Sequence, residues 1–209
     1  GSRRLLALGT GLALASAATF AEIGSRDAVP GANDNLTGVA TLIGVAAELA
    51  QRPVEGLRVL LVSTGSEEGF MEGMQAFARR HFPVLPPDRT YVVCVDTVGS
   101  PELTLIEGEG MLRMREYPED FKALVAACAA DAGVRLRRGL RFRNATDGLI
   151  ALKAGYPTAT IGSVTRLKAP ANYHWPTDTA DNVDHGSVDD AVTLCTAIAR
   201  ALAAGGCAD

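Results

Sequence analysis

The stretch Arg58-Val59-Leu60-Leu61-Val62-Ser63-Thr64-Gly65-Ser66-Glu67-Glu68-Gly69 runs from a continuous apolar segment into a turn of small residues that carries two adjacent carboxylates. A short apolar run rich in branched side chains and closed by Gly and Ser has the make-up of a buried strand, so residues 58–64 are predicted as strand. Neighbouring side chains at a strand's exit point in different directions, so one glutamate can bind a metal ion while the other handles protons. Taken alone, Glu67-Glu68 is more often a solvated helix start.

Three other segments bear on that choice. Pro30-Gly31-Ala32-Asn33-Asp34-Asn35-Leu36-Thr37-Gly38 is a turn-rich string that runs into the helical periodicity of Val39, Leu42, Ile43, Val45, Ala46 and Leu49, and Asp34 or Asn35 can act there as a helix cap. Tyr91-Val92-Val93-Cys94-Val95-Asp96-Thr97-Val98-Gly99 is a β-branched run that ends in a carboxylate and a Gly turn. It places Asp96 at the carboxyl end of a strand, where open α/β folds carry their chemistry. Asn172-Tyr173-His174-Trp175-Pro176-Thr177-Asp178-Thr179 is a loop with one of only three histidines in the chain. A lone loop histidine is more often solvated than bound to anything.

Asp34, Glu67, Glu68, Asp96 and His174 thus stand in order along the chain, each at the end of an element or in a loop. Carboxylates mixed with imidazole suit zinc, and less specifically manganese or cobalt, and a carboxylate can bridge two ions. The four strings together, in this order, resemble the co-catalytic dizinc aminopeptidase family, which includes secreted bacterial aminopeptidases, glutamate carboxypeptidase and glutaminyl cyclase. The resemblance runs from about Val29 to the C-terminus. It implies a zinc-exopeptidase-like three-layer sandwich and one or two zinc ions. By position it makes Asp34 the bridging ligand, Glu68 and His174 ligands of the first metal, Asp96 a ligand of the second, and Glu67 the general base. The activity implied is hydrolysis of a peptide or small amide by metal-activated water, most simply as an aminopeptidase. Ser63, Thr64 and Ser66 then read as local backbone partners, and the chain has no Gly-x-Ser-x-Gly nucleophile elbow.

The family pattern also carries a His-x-Asp string ahead of the bridging aspartate, whereas this chain has no histidine before His81. Ser25-Arg26-Asp27 is the nearest match and would put a weak hydroxyl donor at the ligand position. The other account places the true His-x-Asp upstream and makes the segment before Pro30 an insertion. Two alternatives to the peptidase follow: a metal-depleted binding module on the same fold, and a single-zinc transferase like glutaminyl cyclase.

Residues 1–28 are expected to form an apolar N-terminal segment and residues 29–209 the catalytic domain. Arg3-Arg4 precedes an uncharged run from Leu5 to Ala21 that can be a membrane helix, a signal peptide or a buried core helix. The first two imply a membrane or extracytoplasmic setting, with membrane association through residues 5–21. A net charge of −4 offers no basic stripe for nucleic acid, which argues against that partner class. The local Arg135–Arg143 cluster reads as a solvated strand pair, with contact to an acidic substrate end or a lipid surface as the alternative. Cys94, Cys128, Cys195 and Cys207 show no Cys-x-x-Cys spacing and read as buried or tail residues rather than as a disulfide framework.

Strands are predicted near 58–64, 91–96, 102–107 and 157–161, and helices near 36–51, 68–80, 118–132 and 187–204. The alternation implies an α/β fold with a mostly parallel or mixed central sheet flanked by helices. Asp147, in Thr146-Asp147-Gly148, either orients a ligand or substrate or caps the helix after it. Asp178 either tunes the His174 loop by a hydrogen bond or serves a turn. Tyr173 is expected to line the substrate pocket or steady an oxyanion, and Trp175 to pack against the sheet.

Overall fold

β-branched residues are dense in two distant segments, and in the computed structural model, which describes residues 2–205, those segments lie side by side. β1 (Val92–Val95) runs parallel to β5 (Thr158–Val164), with Cys94 opposite Thr160. β2 (Glu102–Glu109) is antiparallel to β5, with Leu105 opposite Ile161, and parallel to β4 (Arg137–Phe142). The short β3 (Arg115–Glu116) pairs antiparallel with the end of β2. The sheet is therefore mixed and open, as the sequence allowed.

Six α-helices are found among the described residues: α1 (Ser2–Gly24), α2 (Thr37–Gln51), α3 (Glu72–His81), α4 (Glu119–Asp131), α5 (Gly148–Lys153) and α6 (His185–Ala203). Leu103, Leu105 and Ile161 of the sheet pack with Phe121 and Val125 of α4 and Leu194 and Ile198 of α6, all almost fully buried. Each such side chain contributes about 1.5–3 kcal/mol by leaving water. α2 lies close on α6, so close that a Cβ on Gly44 would fall 2.6 Å from a Val192 methyl carbon. A second apolar cluster, with Met74, Leu85, Leu149 and Tyr156, joins α3 to α5. One buried ionic knot ties α4 to the sheet. Glu107 accepts from Lys122 Nζ at 2.7 Å, from Arg138 Nε at 2.7 Å and from the Gly139 N–H at 3.0 Å. Arg137, Arg138 and Arg141 each pair with a glutamate, as a solvated strand requires.

Two expectations are corrected. Residues 58–64 do not join the sheet, and among the described residues no backbone–backbone hydrogen bond involves residues 53–64. Strand composition makes a strand only where a neighbouring edge is in reach. Here a cavity of about 580 Å³ is lined by Leu60 and Val62 together with Val93 and Val95 of β1. Val59, Leu60 and Leu61 stay 36%, 49% and 41% exposed as a result. The second correction concerns α1: none of its residues is buried, so it is not a core helix. Its apolar window, with a mean hydropathy of 1.5, is long and apolar enough to cross a membrane, and a signal sequence has the same character.

Candidate active site

The Asn33-Asp34-Asn35 string is held from both sides. Asn33 is buried; its Oδ1 accepts from the Gly99 N–H at 2.8 Å, and its Nδ2 donates to the Ala171 carbonyl at 2.9 Å. Asn35 Oδ1 accepts from the N–H groups of Gly38 and Thr97, both at 3.0 Å. Asn35 thus supplies an acceptor to the first turn of α2 and also ties that turn to the exit of β1. Two glycines are required by this closeness: a Cβ on Gly38 would stand 2.7 Å from the Val95 carbonyl oxygen, and one on Gly99 would stand 2.8 Å from Asn33 Oδ1. Asp34 is left between them with its carboxylate free to face the other acids.

Glu67 and Glu68 sit in a tight turn before α3. Ser66, Phe70 and Met71 take left-handed conformations, at φ 53°, 63° and 60°, and the Met71 N–H donates to the Glu67 carbonyl at 2.7 Å. Glu68 Oε1 comes to 2.7 Å from His174 Nε2, which lies 3.2 Å from Asp34 Oδ2. Ligand atoms of Asp34, Glu68 and His174 all fall within 4.8 Å of one another. Asp96 follows β1 on the Thr97 side of Asp34: the Thr97 hydroxyl is 2.8 Å from Asp96 Oδ1 and 3.4 Å from Asp34 Oδ1.

Tyr173 stacks on the imidazole of His174, with ring centres 3.9 Å apart and planes inclined by 19°. Its phenol pKa is pushed up by burial and by Asp34, Glu68, Asp96 and Glu67, so the hydroxyl keeps its proton and stays a donor beside the acids. Trp175, expected to pack against the sheet, is instead 67% exposed. Asp178 is 1% exposed, and its two oxygens accept from the N–H groups of Asn33 at 2.6 Å and Asp34 at 3.1 Å. It therefore does more than close a turn. Asp147 precedes α5 without capping it; its Oδ2 accepts from the Thr64 hydroxyl, and its Oδ1 is buried with no partner among the described residues. Thr64 thus serves a side chain, not the backbone.

Like charge and burial set the electrostatics. Glu67 is pushed up to about 8 by burial first, then by Asp96, Glu68, Asp147 and Asp34. Asp96 is raised to about 6, again mainly by burial, and Asp34 is raised by burial and by Glu68. A cation among these carboxylates reverses the Coulombic part of every one of these shifts. Two carboxylates and an imidazole form a donor set that fits zinc. The same fit is not met on the Asp96 side. Asp34 and Asp96 face each other there without a third ligand among the described residues, and the Ser25 hydroxyl donates to the Glu22 carbonyl within α1.

Sequence reading missed three members of this arrangement. Asn33 and Thr97 bond across sixty or more residues, which no local pattern reports. Glu109, fully buried at the end of β2, accepts from the Thr146 N–H and hydroxyl, both at 3.1 Å, and from Tyr117 Oη at 2.6 Å, and so fixes the loop that carries Asp147. Its one visible signal was weak, a carboxylate at the end of a strand that also carries Glu102 and Glu107.

Residues 18–199 match the sequence profile of peptidase family M28. The chain belongs to that family. No curated protein sequence matches it. An aminopeptidase from Aneurinibacillus sp. strain AM-1 superposes on this M28 chain with a TM-score of 0.67 at 22% identity, over 86% of this chain and 41% of that one. A zinc aminopeptidase from Bacillus subtilis gives 0.67 at 21% identity, over 82% and 43%. A glutaminyl cyclase from an Acidobacteriales bacterium gives 0.59 at 16% identity, over 84% and 63%. At such identities the likeness establishes the fold, and the chain spans less than half the length of both aminopeptidases.

Proposed function

We propose that this M28 chain is the catalytic part of a zinc-dependent exopeptidase, acting as an aminopeptidase on a peptide or small amide. The observation that carries the reading is the convergence of Asp34, Glu68 and His174 next to a Glu67 whose carboxylate makes no ion pair or hydrogen bond among the described residues. Asp34, Glu68 and His174 would hold the first ion, with Asp34 shared toward Asp96. When bound, zinc acts as a Lewis acid that polarises the scissile carbonyl and makes water a better nucleophile at neutral pH.

The chain's own residues do the rest. Glu67 accepts the proton of the attacking water and returns it to the leaving amine as the C–N bond breaks. It needs to be ionised to start, and a cation in the cluster favours that form by offsetting Asp96 and Glu68. Tyr173, stacked on His174 and keeping its proton, would donate a hydrogen bond to the developing oxyanion. The test is zinc titration of the chelator-treated protein, followed through both metal content and hydrolysis of leucyl p-nitroanilide. Turnover that rises in step with bound zinc supports the reading, and zinc binding without turnover refutes it.

One complete ligand triad among the described residues favours a second reading, a glutaminyl-cyclase-like transferase that works with one zinc. Release of ammonia from an N-terminal glutaminyl peptide, with no hydrolysis of its peptide bonds, would mark it. In this proposal residues 29–209 constitute the catalytic unit, and its setting is a membrane or extracytoplasmic one. The support is a 23-residue apolar helix with no buried residue and with Arg3 and Arg4 at its start. Loss of membrane sedimentation when residues 5–21 are deleted is the expected result.

A further inference from the structure

Glu67 and Glu68 reach the acidic cluster at the end of a segment with little to hold it. Among the described residues, 53–64 makes a single hydrogen bond, from the Thr64 hydroxyl to Asp147 Oδ2. Beyond Thr64 the chain is laced to the start of α3. The Gly65 and Ser66 carbonyls accept from the N–H groups of Gly73 and Glu72, both at 3.1 Å, and a Cβ on Gly73 would fall 2.2 Å from the Gly65 carbonyl oxygen. The turn is therefore pressed against α3 on its leaving side and fastened at Thr64 on its entering side.

Asp147 is held in its own right. It follows Thr146, whose N–H and hydroxyl both donate to the buried Glu109 carboxylate at 3.1 Å, and Glu109 also accepts from Tyr117 Oη at 2.6 Å. It precedes α5, whose Leu149 and Ala151 share a buried apolar cluster with Met71 and Met74 at the start of α3. The turn, α3, α5, Asp147 and Thr64 thus form a closed ring of contacts, and the Thr64–Asp147 hydrogen bond closes it. Neither side chain has a second partner among the described residues, since Asp147 Oδ1 is buried without one. Thr64, Asp147, Glu67 and Glu68 all line one cavity, so the link is made beside the acids it serves.

We infer that Thr64 and Asp147 are positioning residues for the Glu67-Glu68 turn, and that their hydrogen bond fixes where both glutamates stand relative to Asp34 and His174. The inference rests on the hydrolase reading above and adds the residues that hold its base in place. Proton transfer is steep in distance, and a misplacement of about 1 Å costs about 100-fold in rate. Thr64→Val removes the hydroxyl at nearly the same volume, whereas Thr64→Ser keeps it.

Four variants of the full chain test this: Thr64→Val, Thr64→Ser, Asp147→Ala, and Thr64→Val combined with Asp147→Ala. In the zinc-loaded protein, Thr64→Val is expected to lower kcat for leucyl p-nitroanilide about 10–100-fold with KM changed less than about twofold. Thr64→Ser should restore most of that loss, and the double variant should be little worse than Asp147→Ala, as for two groups that act through one bond. Without zinc or substrate, the Met71, Glu72 and Gly73 amides, which donate to the turn, should exchange about tenfold faster in Thr64→Val than in wild type or Thr64→Ser. Wild-type kcat in Thr64→Val, a loss that Thr64→Ser shares in full, a loss confined to KM, or additive losses in the double variant would overturn the inference. Unchanged amide exchange in Thr64→Val overturns it too. A wild-type chain that does not turn over would sink the hydrolase reading, and the exchange comparison then decides whether Thr64 and Asp147 hold the turn.

Discussion

Asp178 and Asp34 are joined as one structural unit: the buried Asp178 carboxylate accepts from the backbone N–H of Asp34 at 3.1 Å and from that of Asn33 at 2.6 Å. Asp178 lies four residues after His174, so its side chain ties the two loops that bring Asp34 and His174 together, alongside the Asn33–Ala171 hydrogen bond and the Ala32 N–H to Asp178 carbonyl bond. Replacing Asp178 with Asn puts an NH2 group against one of those N–H donors and removes the charge that strengthens both bonds. The Asp178→Asn variant is expected to lose about 1.5–3 kcal/mol of stability and about 10–100-fold in zinc affinity. Thermal melts and a competitive zinc titration measure the two effects, and an unchanged zinc affinity would show that Asp34 and His174 are positioned by something else.

His174 is half-exposed and is in contact with both Glu68 and Asp34. His174→Ala should leave the fold in place and release zinc, since it removes the one imidazole and leaves two carboxylates of the three-residue donor set. Elemental analysis after gel filtration reads this directly. Retention of zinc at the wild-type level removes His174 from the ligand set.

The Glu107 knot makes a prediction about acid stability. The hydrogen bond from Arg138, with those from Lys122 and the Gly139 N–H, lowers the Glu107 pKa to about 2 from an ordinary 4.5. Between those two values the unfolded chain binds the proton and the folded chain does not. The stability Glu107 supplies is therefore complete above pH 4.5 and is lost as pH falls through about 2. Urea unfolding of Glu107→Gln should show a loss of about 3 kcal/mol at neutral pH and a shallower slope in the acid range. A slope equal to the wild type's would mean that other carboxylates govern acid unfolding.

Residues 58–64 have no backbone hydrogen-bond partners among the described residues, so their amides should exchange with solvent hydrogen within seconds, while those of β2 and β5 exchange only on global unfolding. Mass-spectrometric exchange on this chain provides the check. Protection of 58–64 comparable with that of β5 would place them in a sheet after all.

What was legible in the sequence follows from how local each signal is. Asp34, Glu68 and His174 stood out in the sequence at element ends and in a loop, and the fold brings their side chains within reach of one another. β1, β2 and β5 were found from β-branched density, and α2, α4 and α6 from apolar spacing. Residues 58–64 carried the same strand signal and misled, because composition reports a segment's preference and not whether an edge is present to pair with it. Trp175 misled similarly: its size predicts burial, yet it stands on the outer side of the His174 loop, 67% exposed. Asn33, Thr97 and Glu109 were out of reach because their partners are fixed only by the tertiary fold.

The central claim is that Glu67 moves protons while its neighbours hold zinc, and the most direct measurement is made on Glu67→Gln: zinc content by elemental analysis alongside leucyl p-nitroanilide turnover. The account predicts wild-type zinc content with turnover reduced by about 10²–10⁴-fold, since the variant keeps the ligands and loses the base. Turnover near the wild-type level in a zinc-loaded Glu67→Gln protein would contradict it.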